Sequence, residues 1–330
     1  MKKLLKNKDF LTLLFVVVLF GATAALLYTG GLTRQVQNML IPISVYICLA
    51  VSLNLVVGLL GELSLGHAGF MSVGLFSGCL VSIALNGVLP DALRIIVSMI
   101  VGGLFAAVFG LIVGLPALRL KGDYLAIVTL ACGEIIKNVI TNLDITGGAV
   151  GLNTNAVYSG AKTLLPYSAG LVIITVIVMM NLKKSKHGRA IMAIRDNRIA
   201  AESIGLNVTY YKLVVFIIAA FFAGAAGVIY GHSFANVKAA SFDYNMSIEI
   251  LVIVVLGGMG NISGSVIAAI ILQALPEALR EFSDYRMLVY AIVLILVMLA
   301  TNNPKINSEI AIRKQQIKNK LKGRKEEEAQ

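Results

Sequence analysis

The amino-acid sequence predicts an all-α, polytopic membrane protein: a bundle of about ten transmembrane helices with a candidate internal repeat. Composition is the first reason, because 58% of the 330 residues are hydrophobic and only 14% are charged, whereas a soluble domain carries roughly 25% charged residues. The second reason is that the apolar residues form long runs. About 20 apolar residues in a helix cross a hydrocarbon core of roughly 30 Å, and lipid offers no partner to a bare backbone N–H or C=O group.

The apolar runs define the predicted spans in chain order. The first follows a basic N-terminus and is expected to stay in the protein, because it lacks the small-residue cleavage site of a signal peptide. The eighth is short for a full crossing, so a tilted, broken or re-entrant segment is left open. The predicted spans are 10–28, 38–58, 64–85, 93–115, 124–143, 165–182, 213–231, 247–258, 263–279 and 286–301.

Basic residues predict the orientation of these spans. An even number of spans places both termini on one side, and that side then carries 21 Lys and Arg residues against six on the other. Cytoplasmic segments of membrane proteins are enriched in Lys and Arg, so both termini are expected in the cytoplasm. The predicted organisation is a membrane domain over 1–304, with a large cytoplasmic loop at 183–212, followed by a basic cytoplasmic tail over 305–330.

Two glycine-rich connections on the predicted cytoplasmic side resemble each other and suggest the internal repeat. The first glycine turn, residues 58–69, reads GLLGELSLGHAG, and the second glycine turn, residues 257–264, reads GGMGNISG. Each leads into a helix whose free N–H groups suit an anionic substrate group, which makes Ser64, His67 and Ser72 candidates for substrate contact. Hinges or contacts with a cytoplasmic partner are the alternative. The candidate hinge residues are Gly66, Gly69, Gly257, Gly258, Gly260 and Gly264.

The fifth span contains Glu134 and Lys137, the most costly side chains to place in lipid. An unpaired charge at the centre of a span costs at least roughly 2.5–3.5 kcal/mol, and the three-residue spacing lets the two side chains pair on one helix face. Asn138 and Asn142 extend this polar face. It is either part of a translocation pathway or partner contact, or a structural ion pair that faces the bundle.

The loop at 183–212 is predicted to contain a helix with two different faces. Ala190, Ala193, Ile194, Ala201 and Ile204 share one face, while Arg195, Arg198 and Glu202 lie on another, and Gly205 is placed to end the helix. Such a helix can dock into a cleft on a cytoplasmic partner. It can equally lie on the membrane surface or on its own bundle.

The sequence argues against several other classes. It has no G-x-x-x-x-G-K-[ST] motif, so ATP that drives this protein is expected to be hydrolysed by another chain. It has neither the residue spacing of a metal site nor that of a catalytic triad, and the three cysteines fall in apolar runs. An enzyme is not predicted. The net charge of +11 is explained by basic cytoplasmic segments. The protein is therefore expected to contact membrane lipid and not to bind nucleic acid.

Several motifs resemble the branched-chain amino acid permease family of the LivM type. They are AIRDNRIAAESIGLN at 193–207, GHAG at 66–69, YLAIVTLACGEIIK at 124–137, TGG at 146–148 with Gly151, and LGGMGNISG at 256–264. The first of these contains a degenerate form of the E-A-A-x-x-x-G loop of ABC importer permeases, in which Ile199 replaces the glutamate.

The resemblance implies a subunit of an ATP-driven importer in the bacterial cytoplasmic (inner) membrane. It implies a related second permease, two cytoplasmic ABC ATPase subunits and an extracytoplasmic amino-acid-binding protein, with no cofactor in this chain. It also implies that loop 183–212, called the coupling segment below, docks on an ATPase. The alternatives are an ion-coupled secondary amino-acid transporter and an importer for urea or short amides. The candidate coupling residues are Ala190, Ile194, Arg195, Asn197, Arg198, Ala201, Glu202 and Gly205.

Overall fold

The computed structural model describes residues 8–120, 122–279, 288–289, 291–292 and 295. These residues are mainly helical, and long apolar sequences account for most of the helices. The α-helices are α1 Lys8–Tyr28, α2 Arg34–Asn54, α3 His67–Ala84, α4 Asp91–Ala117, α5 Asp123–Asn142, α6 Ala161–Lys184, α7 Lys186–Asp196, α8 Arg198–Ser203, α9 Val208–His232, α10 Tyr244–Gly257 and α11 Ile262–Ala278. Helix α2 continues directly into a π-helical turn, Leu55–Leu60.

The membrane class predicted from the sequence is confirmed. Eight helical segments of the described residues are long and apolar enough to cross a membrane, and they correspond to the first eight predicted spans. The ninth predicted span corresponds to the shorter apolar helix Ile262–Glu277, while most of the tenth, 286–301, lies outside the described residues. The part of the chain that is described therefore has eight full-length candidates and one short one.

The eighth span begins earlier than the predicted residue 247, although its α-helix has only 14 residues. Helix α10 begins at Tyr244, because the Asp243 side chain accepts a hydrogen bond from the Met246 N–H at 3.2 Å and caps the helix. A 3₁₀ turn, Ala239–Ser241, precedes it. The candidate span Ala239–Gly257 therefore reaches 19 residues, which is close to the length needed to cross a bilayer.

Small residues bring α3, α4 and α9 into close contact. A methyl group added to Gly74 on α3 would lie 2.2 Å from the Cα atom of Gly224 on α9, and one added to Gly102 on α4 would lie 2.5 Å from the Gly74 carbonyl oxygen. Close backbone approach of this kind increases van der Waals contact between helices that gain little from the hydrophobic effect in lipid. Helix α2 packs beside this group and is buried from Ser44 to Asn54.

On the predicted external side, two short strands join the loops that follow α5 and α9. Strand β1, Leu152–Asn153, pairs antiparallel with β2, Asn236–Val237. The Thr154 hydroxyl donates to the Phe234 carbonyl oxygen at 2.5 Å and extends the connection.

The chain divides into two compact units, Met1–Ala274 and Leu275–Gln330. Every candidate site residue lies in the first unit. In the second unit the Leu279 N–H donates to the Leu275 carbonyl oxygen at the end of α11. The predicted boundary of the basic tail, at residue 305, lies outside the described residues.

Candidate functional site

The coupling segment forms two helices, so the single predicted helix is wrong. The helix is interrupted at Asn197, whose backbone is extended at φ −154° and ψ 102°. The Asn197 side chain accepts a hydrogen bond from the Ala200 N–H at 3.1 Å and caps α8. Asparagine favours helix N-caps because its side chain replaces a missing backbone partner. Gly205 ends α8 as predicted, with φ +85°, a region that glycine enters without steric cost.

The break changes which residues of the coupling segment are available to a partner. Ile194 and Ala201, both predicted on the small-residue face, are buried in the chain's own bundle together with Ile191. Ile204, predicted on the same face, is instead 75% exposed, and Ile199 is 77% exposed. The predicted continuous face therefore does not exist. Its buried half anchors the segment to the bundle, and the two exposed isoleucines present an apolar surface outwards.

The charged residues of the coupling segment differ in their contacts. Arg198 and Glu202 form an ion pair at 2.9 Å along α8, and both side chains are partly exposed to solvent. Ala190 is half-buried on α7. Arg195 lies next to Asp196, with 2.8 Å between Nη2 and Oδ1. Its other amino group, Nη1, donates to the Gly58 carbonyl oxygen at 3.2 Å, so α7 is connected to the first glycine turn.

Gly61 makes room for the Arg195 side chain. It ends the π-helical turn at φ +79°, and a methyl group at this position would lie 2.5 Å from the Arg195 Cγ atom. The neighbouring Glu62 forms an ion pair with Lys212, which is only 2% exposed. Sequence reasoning missed this pair because its members are 150 positions apart. A cleft of about 510 Å³ lies between the first glycine turn and helices α7 and α8. The residues that line it are Leu60, Gly61, Glu62, Leu63, Gly122, Ile194, Arg195, Asp196, Asn197, Arg198, Ile199 and Lys212.

The two glycine turns contact each other. A methyl group on Gly58 would lie 2.1 Å from the backbone nitrogen of Gly260. The Gly260 N–H donates to Asn54 Oδ1 at 2.7 Å, and its carbonyl oxygen accepts from Lys183 Nζ at 2.8 Å. The candidate hinges Gly258 and Gly260 have φ angles of +88° and +79°. The turns that resemble each other in sequence are therefore neighbours in space.

Two further candidate hinge residues, Gly257 and Gly264, allow α10 and α11 to approach closely. A methyl group on Gly264 would lie 1.7 Å from the Gly257 carbonyl oxygen. The Asn54 side chain joins this hairpin to α2 by donating to Ser265 Oγ at 2.7 Å. Any larger residue at position 264 would have to move backbone atoms.

The start of α3 is closed by its own neighbours. Ser64, His67 and Ser72 are each at most 1% exposed. His67 Nε2 lies 2.8 Å from the Ser52 hydroxyl oxygen, and the Ala68 N–H donates to Ser247 Oγ at 3.2 Å.

The glycines at this point bring α3 against α5. Methyl groups on Gly66 and Gly69 would lie 2.7 Å and 3.0 Å from Thr129 O and Gly133 Cα. The Ser64 and Ser72 hydroxyls have no hydrogen-bond partner among the described residues. All three side chains are therefore closed off from solvent in this structure.

The predicted pair Glu134 and Lys137 forms, and it has a further contact. Lys137 Nζ donates to Glu134 Oε2, while Glu134 Oε1 accepts from the Tyr244 N–H at 2.9 Å. A carboxylate at a helix N-terminus is favourable because the backbone N–H groups there lack partners. Glu134 therefore holds the start of α10. Asn138 and Asn142 are exposed on the same helix, where the Asn142 amide donates to the Asn138 carbonyl oxygen at 2.7 Å.

Comparisons with known proteins identify what the chain is similar to. A family model described as the permease component of branched-chain amino acid transport systems matches residues 35–298. The high-affinity branched-chain amino acid transport system permease protein LivM of Salmonella typhimurium is 33% identical, over 89% of this chain and 73% of its own length. The LivM protein of Escherichia coli K12 is 35% identical, over 77% of this chain and 66% of its own length.

The similarity extends to permeases that are named for other substrates. The ribose import permease protein RbsC of Haemophilus influenzae is 25% identical, over 91% of this chain and 94% of its own length. No solved structure matches the chain significantly.

Proposed function

Because the chain belongs to the family of permease components of branched-chain amino acid transport systems, we propose that it is the membrane subunit of an ATP-driven importer for leucine, isoleucine and valine. Family membership makes it a multi-pass transport component that works with other subunits. The branched-chain substrate is supported by the 33–35% identity to the two LivM proteins, which exceeds the 25% identity to the ribose permease. In this proposal both termini face the cytoplasm, and an extracytoplasmic binding protein delivers the amino acid.

The observation that carries the proposal is the contact between Arg195 and Gly58. It connects α7, the first helix of the coupling segment, to the end of α2. Gly58 in turn contacts Gly260, at the connection between α10 and α11. Two ATPase subunits that close on ATP would move α7 and α8, and the glycine turns would pass that movement to three membrane helices.

The ATPase would contact Ile199 and Ile204 on α8. Two isoleucines that are 77% and 75% exposed are not explained by packing among the described residues, and burial of each is worth about 1.5–3 kcal/mol. The adjacent Arg198 and Glu202 pair would lie at the polar rim of this contact, where exposed charges affect partner choice more than affinity.

A second, related permease would cover the polar face of α5. Asn138 and Asn142 are exposed in a helix with the length and composition of a membrane span. Amide groups that face lipid are costly, so a partner or an aqueous pathway is the better neighbour. Substrate would pass between the two permeases along this face, while Glu134 and Lys137 hold α10 against it.

Co-purification tests the coupling surface. The double variant Ile199→Glu, Ile204→Glu is expected to lose its ATPase subunits on affinity purification, because two charges replace the apolar contact. Ile145→Glu is the matched control, since Ile145 is 72% exposed in the loop after α5, away from the coupling segment. Retention of the ATPases by the double variant would refute the docking surface.

Stimulated ATP hydrolysis tests the substrate. The complex with its ATPases, its second permease and its binding protein is expected to hydrolyse ATP faster when leucine, isoleucine or valine is added. If none of the three stimulates hydrolysis, the branched-chain substrate is wrong and the permease class is unaffected.

A further inference from the structure

Glu249 lies inside a membrane helix, and none of the described Lys, Arg or His residues pairs with it. It belongs to the 19-residue candidate span Ala239–Gly257, eight residues before the end of α10, which is about 12 Å along a helix. Its side chain is half-buried. An ionised carboxylate at this depth is costly, and such residues are usually paired or functional.

Two neutral donors hold the Glu249 carboxylate. The Tyr46 hydroxyl on α2 donates to Oε2 at 3.2 Å, and the Gln273 amide on α11 donates to Oε1 at 2.8 Å. A carboxylate has about four lone-pair sites, so these bonds leave roughly half of its accepting capacity open. They also fix the orientation of the group between three helices.

Two other carboxylates that contact the bundle are neutralised by lysines. Glu62 pairs with Lys212, and Glu134 pairs with Lys137. For Glu249, no Lys, Arg or His side chain among the described residues lies within ion-pair distance. The position therefore combines a carboxyl group of fixed orientation, open lone pairs and no cationic partner among the described residues.

These features match an ammonium group. We propose that Glu249, positioned by Tyr46 and Gln273, binds the α-ammonium group of the amino acid during its passage through the membrane, a role that rests on the proposed function. An ammonium ion brings a positive charge and three N–H donors, which supply the missing cation and fill the open lone pairs. The residues that follow on α10, from Ile250 to Leu256, are all apolar.

The site is connected to the coupling contacts through the same three helices. Tyr46 precedes Asn54 on α2 by eight residues, or about 12 Å, and Asn54 bonds to both Gly260 and Ser265 at the α10–α11 turn. A movement at that turn changes the position of α10 and α11 relative to Tyr46. The affinity of the carboxylate for its cation would then differ between the two states of the importer.

Carbodiimide labelling of the assembled importer tests the site. Dicyclohexylcarbodiimide partitions into membranes and reacts with protonated carboxyl groups, and peptide mass spectrometry locates the adduct. Glu249 is expected to be labelled in the complex of both permeases and the ATPases, while Glu134 is protected by its ion pair. Leucine, added without binding protein at about ten times its dissociation constant, is expected to lower labelling about tenfold by occupancy.

Two analogues separate the ammonium group from the rest of leucine. Isoamylamine keeps the cation and the branched chain, and it is expected to protect Glu249 as leucine does. 4-Methylpentanoate keeps the chain and the carboxylate, and it is expected not to protect. Equal protection by both analogues, or by neither, would overturn the proposal. So would an absence of labelling in the assembled complex, since that would indicate a cation supplied by the second permease.

A charge exchange separates binding from structural support. Glu249→Gln keeps an oxygen acceptor for Tyr46 and is expected to slow leucine transport about tenfold or more, the effect of losing one charge-assisted hydrogen bond. The exchange Glu249→Gln, Gln273→Glu returns the charge to the cluster and is expected to restore transport and leucine-sensitive labelling, now at position 273. Asp144→Asn, which removes an exposed charge after α5, is the control.

The failure of this inference can be told apart from failure of the proposed function. If leucine stimulates ATP hydrolysis by the wild-type importer but neither protects Glu249 nor depends on its charge, the ammonium site is wrong and the importer function stands. If leucine protects Glu249 while no branched-chain amino acid stimulates hydrolysis, the site stands and the proposed importer function is wrong.

Discussion

Glu62→Gln should strongly destabilise the protein, because it leaves Lys212 charged and buried. The Lys212 side chain is 2% exposed and that of Glu62 is 16% exposed, so water can replace little of the lost interaction. Breaking a buried ion pair by removing one partner costs about 3–5 kcal/mol, whereas replacing both partners by uncharged groups of similar volume is often neutral or stabilising. The double variant Glu62→Gln, Lys212→Met is therefore expected to recover most of the lost stability.

Thermal unfolding of the purified importer in detergent, followed by loss of the folded peak in size-exclusion chromatography, measures this effect. Glu202→Gln is the matched control, because it breaks an ion pair in which both side chains are partly exposed, and such pairs contribute about 0–1 kcal/mol. The unfolding midpoints of the wild type, Glu202→Gln and the double variant are expected to be similar. The midpoint of Glu62→Gln is expected to lie well below these three. A Glu62→Gln midpoint equal to that of Glu202→Gln would refute the assignment of a buried, mutually dependent pair.

Two further variants test the contacts around the coupling segment. Gly58→Ala should separate the glycine turns, because the new methyl group would lie 2.1 Å from the Gly260 nitrogen. Overpacking of this kind costs about 1–3 kcal/mol. Because the turns then lose contact, ATP hydrolysis is expected to lose its response to leucine. Gly170→Ala is its control, since no described residue beyond its own stretch of helix lies within 4 Å of the added methyl group, and it is expected to be neutral or slightly stabilising. Asn197→Ala removes the cap on the Ala200 N–H and should cost about 1 kcal/mol, with faster hydrogen exchange confined to α8; unchanged exchange there would contradict the capping role.

The features that the sequence predicted correctly are those that depend on nearby residues. Apolar run length located the helices, and the three-residue spacing of Glu134 and Lys137 predicted their ion pair. Gly205 was identified as a helix end because glycine is the usual residue in a left-handed terminus. Each of these depends on a window of a few residues, within which helix geometry fixes the relative positions.

The errors arise where a local pattern competes with a contact from elsewhere. The helical periodicity over 190–205 is real, but Asn197 caps a new helix there, and that break turns Ile204 outwards. Contacts between distant residues gave no local signal: Glu134 with Tyr244 and Arg195 with Gly58 are separated by 110 and 137 positions. Charge and glycine content marked these residues as unusual, but only the fold determines their partners.

Helix α2 is the element on which the proposed transmission depends. It is buried from Ser44 to Asn54, so its neighbours resist sideways movement, and it carries Tyr46 near one end of that stretch and leads to Gly58 at the other. Between Asn54 and Gly58 the helix changes to the π form, Leu55–Leu60, an arrangement often found at functional sites. A displacement of Gly58 by Arg195 must therefore either be absorbed by a change of this turn or be carried along α2 to Tyr46, about 18 Å away at 1.5 Å per residue. The first outcome would separate ATP-driven movement from the Glu249 site, and the second would connect them, so the π-helical turn is where the coupling between the two is decided.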